Sequence, residues 1–127
     1  MTLQVGVIGA GAWGTALAGL MAEQDADVDV WAYEPEVVED INTRHQNSVY
    51  FPQIELPGNL RATSSLAACL EGKQMVLSVV PSHVVREVMG QAVGHLPEGV
   101  PIVSASKGIE NDTLMTMSEV LEDVLPI

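Results

Sequence analysis

The sequence predicts an α/β domain with a doubly wound, mostly parallel sheet. Three observations predict it. Short β-like runs alternate with helical periodicities through residues 1–127, the pattern of a parallel sheet covered by helices. The run MVLSVV at 75–80 is almost continuously apolar and rich in β-branched residues, as suits a strand covered on both faces. A glycine turn, GAGAWG at 9–14, follows the first β-like run and opens an alanine- and leucine-rich helix.

In chain order, residues 3–8 form the first strand and 12–24 the first helix, with Ala16, Leu17, Leu20 and Met21 at helical spacing. Asp25-Ala26-Asp27 is a tight turn. Residues 28–33 alternate as a second strand, with Val28, Val30 and Ala32 set against Asp29, Trp31 and Tyr33. Glu34-Pro35-Glu36 starts a helix, because proline suits the first helical position and acids suit its positive end. Residues 47–59, NSVYFPQIELPGN, lose periodicity. A loop of that length within a compact domain is often functional. Residues 60–63 form a short strand, and Ser64 or Ser65 caps the short helix that holds Cys69.

After the strand at 75–80, Ser82 is the expected N-cap of a helix carrying Val85, Val88, Met89, Ala92 and Leu96. Residues 100–105 form the next strand. Asn111 or Asp112 is the expected cap of a last helix with Leu114, Met117, Leu121 and Val124, which Pro126 closes. Ligands of such sheets bind beyond the carboxyl ends of the strands. Four loops lie there: 9–14, 33–35, 80–83 and 104–108.

Composition narrows the function classes. The 127 residues are 47% hydrophobic and 17% charged, ordinary for one globular domain spanning 1–127. No apolar run approaches the ~20 residues a membrane span needs. The start of the chain carries no basic segment of a secretory signal, so a cytoplasmic location is the default expectation. The single cysteine, Cys69, allows no internal disulfide, reads as a buried inert thiol, and supplies no metal cluster. A net charge of −12 argues against a nucleic-acid partner, which needs a basic footprint. Residues 1–43 hold eight acids and no Lys or Arg. A phosphate near Gly11 must then be held by backbone N–H groups and a helix end.

Gly9, Gly11 and Gly14 form a G-x-G-x-x-G fingerprint in the strand–turn–helix setting that a dinucleotide site requires. Gly9 allows the tight turn, Gly11 lets a pyrophosphate approach, and Gly14 lets the helix pack on the strand. Glu34 lies where an acid would bond an adenine ribose hydroxyl; alternatively it merely precedes a helix. Tyr33 either stacks on adenine or packs under a helix. Trp13 either lies beside a pyrophosphate or caps the core, and packing is the reading its residue type favours. Lys107, at a strand's C-terminal end, can bind a phosphate or orient a carbonyl oxygen; surface solvation is the plainer role. His83 has no assigned chemistry, and His45 and His95 read as surface residues. No spacing suggests a metal site.

As a set, VIGAGAWGTALA (7–18), WAYEPE (31–36), NSVYFPQIELPGNLRAT (47–63), VVPSH (79–83) and SASKGIE (104–110) resemble the N-terminal part of bacterial NAD(P)-dependent sn-glycerol-3-phosphate dehydrogenases. The resemblance runs over essentially the whole chain and implies a Rossmann-like domain binding NAD or NADP. It places the cofactor at Gly9, Gly11, Ala12, Trp13, Gly14, Tyr33, Tyr50 and Lys107, with Lys107 also on the substrate; Glu34, at the end of the second strand, and Pro81, after the strand at 75–80, complete the expected cofactor site. It implies reduction of dihydroxyacetone phosphate, a phosphorylated small molecule, to sn-glycerol 3-phosphate for phospholipid synthesis. The family's acid/base lysine lies in a helical C-terminal domain, beyond Ile127, through which a homodimer would form. No catalytic residue is therefore expected in residues 1–127.

Two departures bear on this. Ala12 stands where many members have Ser. Ala32 and Tyr33 stand where Arg or His is frequent, which weakens the grip on an NADP 2′-phosphate. The alternatives are another Rossmann reductase, of the 6-phosphogluconate or ketopantoate type, and a non-catalytic nucleotide-binding module.

Overall fold

A computed structural model describes the chain apart from residues 1, 107, 109, 111, 112, 126 and 127. Five strands form one sheet: β1 (Gln4–Ile8), β2 (Asp27–Trp31), β3 (Leu60–Thr63), β4 (Met75–Ser78) and β5 (Ile102–Ser104). Their order is β3-β2-β1-β4-β5, and every pairing is parallel. Among the described residues, four α-helices connect them, α1 (Ala12–Glu23), α2 (Pro35–Arg44), α3 (Leu66–Leu70) and α4 (Val85–Ala92), and α5 (Met117–Val124) follows the last strand. The expected doubly wound α/β fold is the observed one.

The period of two along the strands divides the core into two layers. Val5, Val7, Val28, Val30, Leu77 and Val79 face Ala18 and Ala22 of α1 and Val37 and Ile41 of α2. Ile8, Trp31, Val76 and Val80 face the other way, onto Cys69 and Leu70 of α3, Val85 and Met89 of α4, and Val120 and Leu121 of α5. Trp31 is thus a core residue, and its indole N–H donates to the Ser64 carbonyl at 3.0 Å. Gly6 lets α3 seat against β1, because a Cβ there would lie 2.8 Å from the Cys69 carbonyl oxygen.

Most elements fall where the sequence places them: β3 matches, β1, β4 and β5 are one or two residues shorter at one or both ends, and β2 starts one residue earlier, at Asp27, and ends two earlier, at Trp31. Two helix starts differ. Ser82 does not cap α4. Residues Ser82–Val84 form a 3₁₀ turn, and the α-helix begins only at Val85 without a side-chain cap. Leu96 falls outside α4, beyond a second 3₁₀ turn at Val93–His95. The last helix starts at Met117, where Thr116 and Glu119 form a capping box. Leu114 precedes it with a φ of 59° and is exposed. Asn111, Asp112 and Pro126 lie outside the described residues.

The described Lys and Arg side chains all pair with acids. Arg61 and Lys73 both reach Asp29, at 3.3 and 2.8 Å. Arg44 pairs with Asp40 at 3.0 Å. Arg86 bridges Glu110 and Asp123 at 2.9 and 2.6 Å, fastening α4 to the segment after β5 and to α5. Among the described residues, no helix is long and apolar enough to cross a membrane.

Candidate functional site

The chain winds outward from β1 through β2 to β3, then returns to place β4 on the other side of β1. The carboxyl ends of β1 and β4 therefore flank a switch point, where such sheets open a crevice. A cleft of about 1040 Å³ lies there. Gly9, Gly11, Ala12, Trp13, Gly14, Tyr33, Glu34, Tyr50, Pro81 and His83 all line it. The fold thus brings together nine of the ten cofactor residues expected from sequence, with His83 beside them. The tenth, Lys107, lies outside the described residues.

The glycine turn forms one wall. Gly9 has a φ of 122°, and a Cβ on it would meet the Val79 backbone at 2.9 Å. Gly14 packs against the Gly9 carbonyl. Gly11 differs from both, since a Cβ on it would meet nothing within 4 Å. Its bareness serves the open cleft rather than the packing. The first bond of α1 runs from the Thr15 N–H to the Gly11 carbonyl at 2.9 Å. The N–H groups of Ala12, Trp13 and Gly14 precede that bond, and Gly11 supplies no side-chain cap. An uncapped helix start of this kind offers N–H donors and a positive dipole end to an anion. Among the described lining residues none is Lys or Arg, and Glu34 and Glu87 add negative charge. Of the described groups at the turn, backbone donors are the ones suited to attract an anion.

Glu34 and Tyr50 form the outer rim. Glu34 directly precedes α2, with Pro35 at the first helical position. The Tyr50 hydroxyl donates to the Glu34 carboxylate, and that bond raises the phenol's pKa. Tyr33 is 80% exposed and so does not pack under a helix. Trp13 is 55% exposed, contrary to its expected place capping the core. It sits in the first turn of α1, which presents it to the cleft instead of the sheet.

The opposite wall comes from α3 and α4. Ser65 caps α3 by accepting the Ala68 N–H. Val84, Val88, Gln91 and His95 line the cleft at spacings of four, three and four. His95 is therefore a cleft residue as well as an exposed one. That stripe is visible in the sequence as a helical spacing, but periodicity alone groups Val88 with the core face. Asn47 and Thr15 carry no such signal, and they support the glycine turn from behind. Asn47 Nδ2 donates to the Ala10 carbonyl at 2.8 Å and to Thr15 Oγ1 at 2.9 Å. Beyond β5, Ser106 Oγ donates to the Val80 carbonyl at 2.6 Å, which holds the start of that segment against the loop after β4.

Residues 4–127 match the family model described as the NAD-dependent glycerol-3-phosphate dehydrogenase N-terminus. The chain belongs to this family. It is 50% identical over 121 residues to an NAD(P)+ glycerol-3-phosphate dehydrogenase of Anaeromyxobacter sp. strain K, covering 95% of this chain and 36% of that protein. A relative of the same name from Citrifermentans bemidjiense is 48% identical over 126 residues, covering 99% and 38%. The crystal structure of the glycerol-3-phosphate dehydrogenase from Coxiella burnetii superposes with a TM-score of 0.91 at 31% identity, covering 99% of this chain and 38% of that one. The chain spans little more than a third of the length of these glycerol-3-phosphate dehydrogenases. Membership favours this family over the ketopantoate and 6-phosphogluconate types that the glycine fingerprint alone left open.

Proposed function

We propose that this chain holds the nicotinamide dinucleotide of a glycerol-3-phosphate dehydrogenase. One observation carries the reading: the uncapped start of α1 opens into the cleft behind Gly11, whose Cα faces empty space. The pyrophosphate would rest on the N–H groups of Ala12, Trp13 and Gly14. Glu34 would accept a hydrogen bond from an adenine ribose hydroxyl. Tyr33 and Tyr50 would flank the adenosine, and Pro81 would lie on the β4 side of the cofactor. Lys107 would contact both cofactor and substrate.

The activity of the whole enzyme is likewise a proposal: reduction of dihydroxyacetone phosphate to sn-glycerol 3-phosphate, in the cytoplasm, in support of phospholipid synthesis. Bound NADH or NADPH supplies the hydride. The ketone also needs a proton donor and a held orientation, the latter worth up to ~7–11 kcal/mol in favourable cases. The proton-donating lysine, most substrate contacts and a homodimer interface are assigned to the portion of the relatives that this chain does not match. Residues 1–127 alone should bind cofactor without turnover.

Fluorescence of Trp13 and Trp31 during titration with NADH tests the reading. Saturable binding is expected for the wild type. Gly11→Val should abolish it while leaving the fold intact, because its side chain enters the cleft and not the core. Equal affinities would remove the pyrophosphate from this turn.

A further inference from the structure

The side chain of Asn47 is fully buried, yet it belongs to the long loop and not to a strand or helix. All its polar capacity on the glycine-turn side is used. Nδ2 donates to the Ala10 carbonyl and to Thr15 Oγ1, while Oδ1 accepts the Tyr50 N–H at 3.1 Å. The amide's orientation is fixed by its partners. The Ala10 carbonyl can only accept, and the Tyr50 N–H can only donate. Thr15 Oγ1 gives its own proton to the Ala10 carbonyl at 3.2 Å, so it must accept from Asn47. Two further contacts shape the same loop. The Asn47 carbonyl accepts the Phe51 N–H at 2.8 Å, and Asp40 accepts the Ser48 N–H at 2.8 Å.

These bonds form one continuous path. It runs from Ala10 in the glycine turn, through the Asn47 amide, to Tyr50, and through the Tyr50 hydroxyl to Glu34 at the far rim. Resting on the reading of the cleft as a dinucleotide site, we propose that Asn47 is a positioning residue for that site. It holds Tyr50 in register with the glycine turn, so that the two ends of the dinucleotide meet a pre-set span. Packing alone would not do this. Phe51 packs against the core, but Tyr50 is 41% exposed and Val49 is 60% exposed, so apolar contacts do not by themselves set where Tyr50 sits. A buried amide with three matched partners fixes direction as well as distance.

A purely structural asparagine would weaken NADH binding equally with or without Tyr50. A positioning asparagine would not. The test is a double-mutant cycle on NADH affinity with Asn47→Ala and Tyr50→Ala, with the melting temperature recorded for each variant. Asn47→Ala should weaken NADH binding about tenfold in the wild type and less than about threefold in the Tyr50→Ala background. The drop in melting temperature should be alike in both. Equal fold-losses in the two backgrounds would overturn the proposal. Thr15→Val, which removes one partner of the amide at similar volume, is the second variant in case Asn47→Ala does not fold. It should show the same pattern with smaller losses.

Amide hydrogen exchange on the ligand-free variants supplies an independent readout. Exchange should quicken at Tyr50 and Phe51 and, in the same variant, at Thr15, whose N–H makes the first bond of α1 to the Gly11 carbonyl of the glycine turn. Faster exchange at the loop with an unchanged glycine turn would also overturn the proposal. Failure of the wild type to bind NADH would strike the reading of the cleft, and the exchange result would then decide the role of Asn47 by itself.

Discussion

A Cβ added to Gly14 would lie 2.1 Å from the carbonyl oxygen of Gly9. No side-chain motion relieves that clash, because the obstacle is backbone. At Gly11, three residues earlier, a Cβ would touch nothing within 4 Å. The fingerprint glycines therefore separate into packing and access positions. Gly14→Ala is expected to destabilise the fold by at least ~1–3 kcal/mol, the usual cost of overpacking. Gly11→Ala should cost no more than about 1 kcal/mol, since it changes only an N-cap residue. Urea denaturation of the two variants checks this, and similar midpoints would contradict the division of roles.

Such distinctions mark how far the sequence can be read. Strand–helix alternation and the run at 75–80 are legible because the sheet buries both faces and leaves a continuous apolar signature. The glycine turn is legible because backbone geometry demands glycine at Gly9 and Gly14. Trp13 and Tyr33 are harder, since an aromatic residue suits a core and a ligand wall equally well. Only the direction in which α1 and the end of β2 present them decides the matter. The start of α4 departs from expectation because a 3₁₀ turn interposes between Ser82 and Val85. The capping box of α5 is written in the sequence as Thr116-x-x-Glu119, but the neighbouring Asn111 and Asp112 are equally good cap residues by type and draw the helix start too early. Asn47 has no local signature at all: its partners Ala10 and Thr15 lie more than thirty residues away, and only the fold joins them.

Cys69 gives a direct test of how α3 is seated. Its thiol is fully buried and lies 3.4 Å from the Asp29 carbonyl oxygen. Burial, and then the Asp29 charge, push its pKa up to about 12. Thiolate is the reactive form, so the folded chain should resist a thiol-specific disulfide reagent at mildly alkaline pH and react only as it unfolds. Gly6→Ala should raise that reactivity, because the added methyl group would press on the Cys69 carbonyl at 2.8 Å. Immediate full labelling of the wild type would show that α3 does not cover β1.

Asp40 should make the Tyr50 loop sensitive to acid. Its carboxylate accepts the Ser48 N–H at 2.8 Å and pairs with Arg44 at 3.0 Å. The Ser48 bond is the chief cause that holds its pKa below the ordinary 3.8. A depressed acid stabilises the fold above its unfolded value and loses that contribution as pH falls through its folded value. Loop anchorage should therefore be complete above about pH 4 and decline below it. The Ser48 amide resonance should titrate with a midpoint under 3.8 in the wild type and stay flat in Asp40→Asn. A midpoint at or above the ordinary value would remove Asp40 from this role.

Cofactor choice turns on Glu34. On the proposed reading its carboxylate lies at the adenine ribose, where the 2′-phosphate of NADP would place like charge beside it. The bases that could offset this repulsion are engaged elsewhere: Arg44 with Asp40, and Arg61 with Asp29. Those two pairs are exposed on the arginine side, and exposed pairs contribute only ~0–1 kcal/mol. They could therefore be broken at little cost, but neither arginine lines the cleft. NADPH should thus gain no large advantage over NADH. Glu34→Gln keeps a hydrogen-bond acceptor for both a ribose hydroxyl and the Tyr50 hydroxyl while removing the charge. It should raise NADPH affinity relative to NADH by about tenfold at low salt, a repulsion of about 1.4 kcal/mol, which lies between the ~1 kcal/mol of unit charges ~4 Å apart in bulk water and the ~4 kcal/mol of such a pair near a protein surface. The gain should shrink as ionic strength rises, because a contact at the rim is open to screening. Paired titrations of wild type and Glu34→Gln with both cofactors, at low and high salt, read all of this together. A hundredfold preference of the wild type for NADPH would place a base, and not Glu34, at the 2′ position.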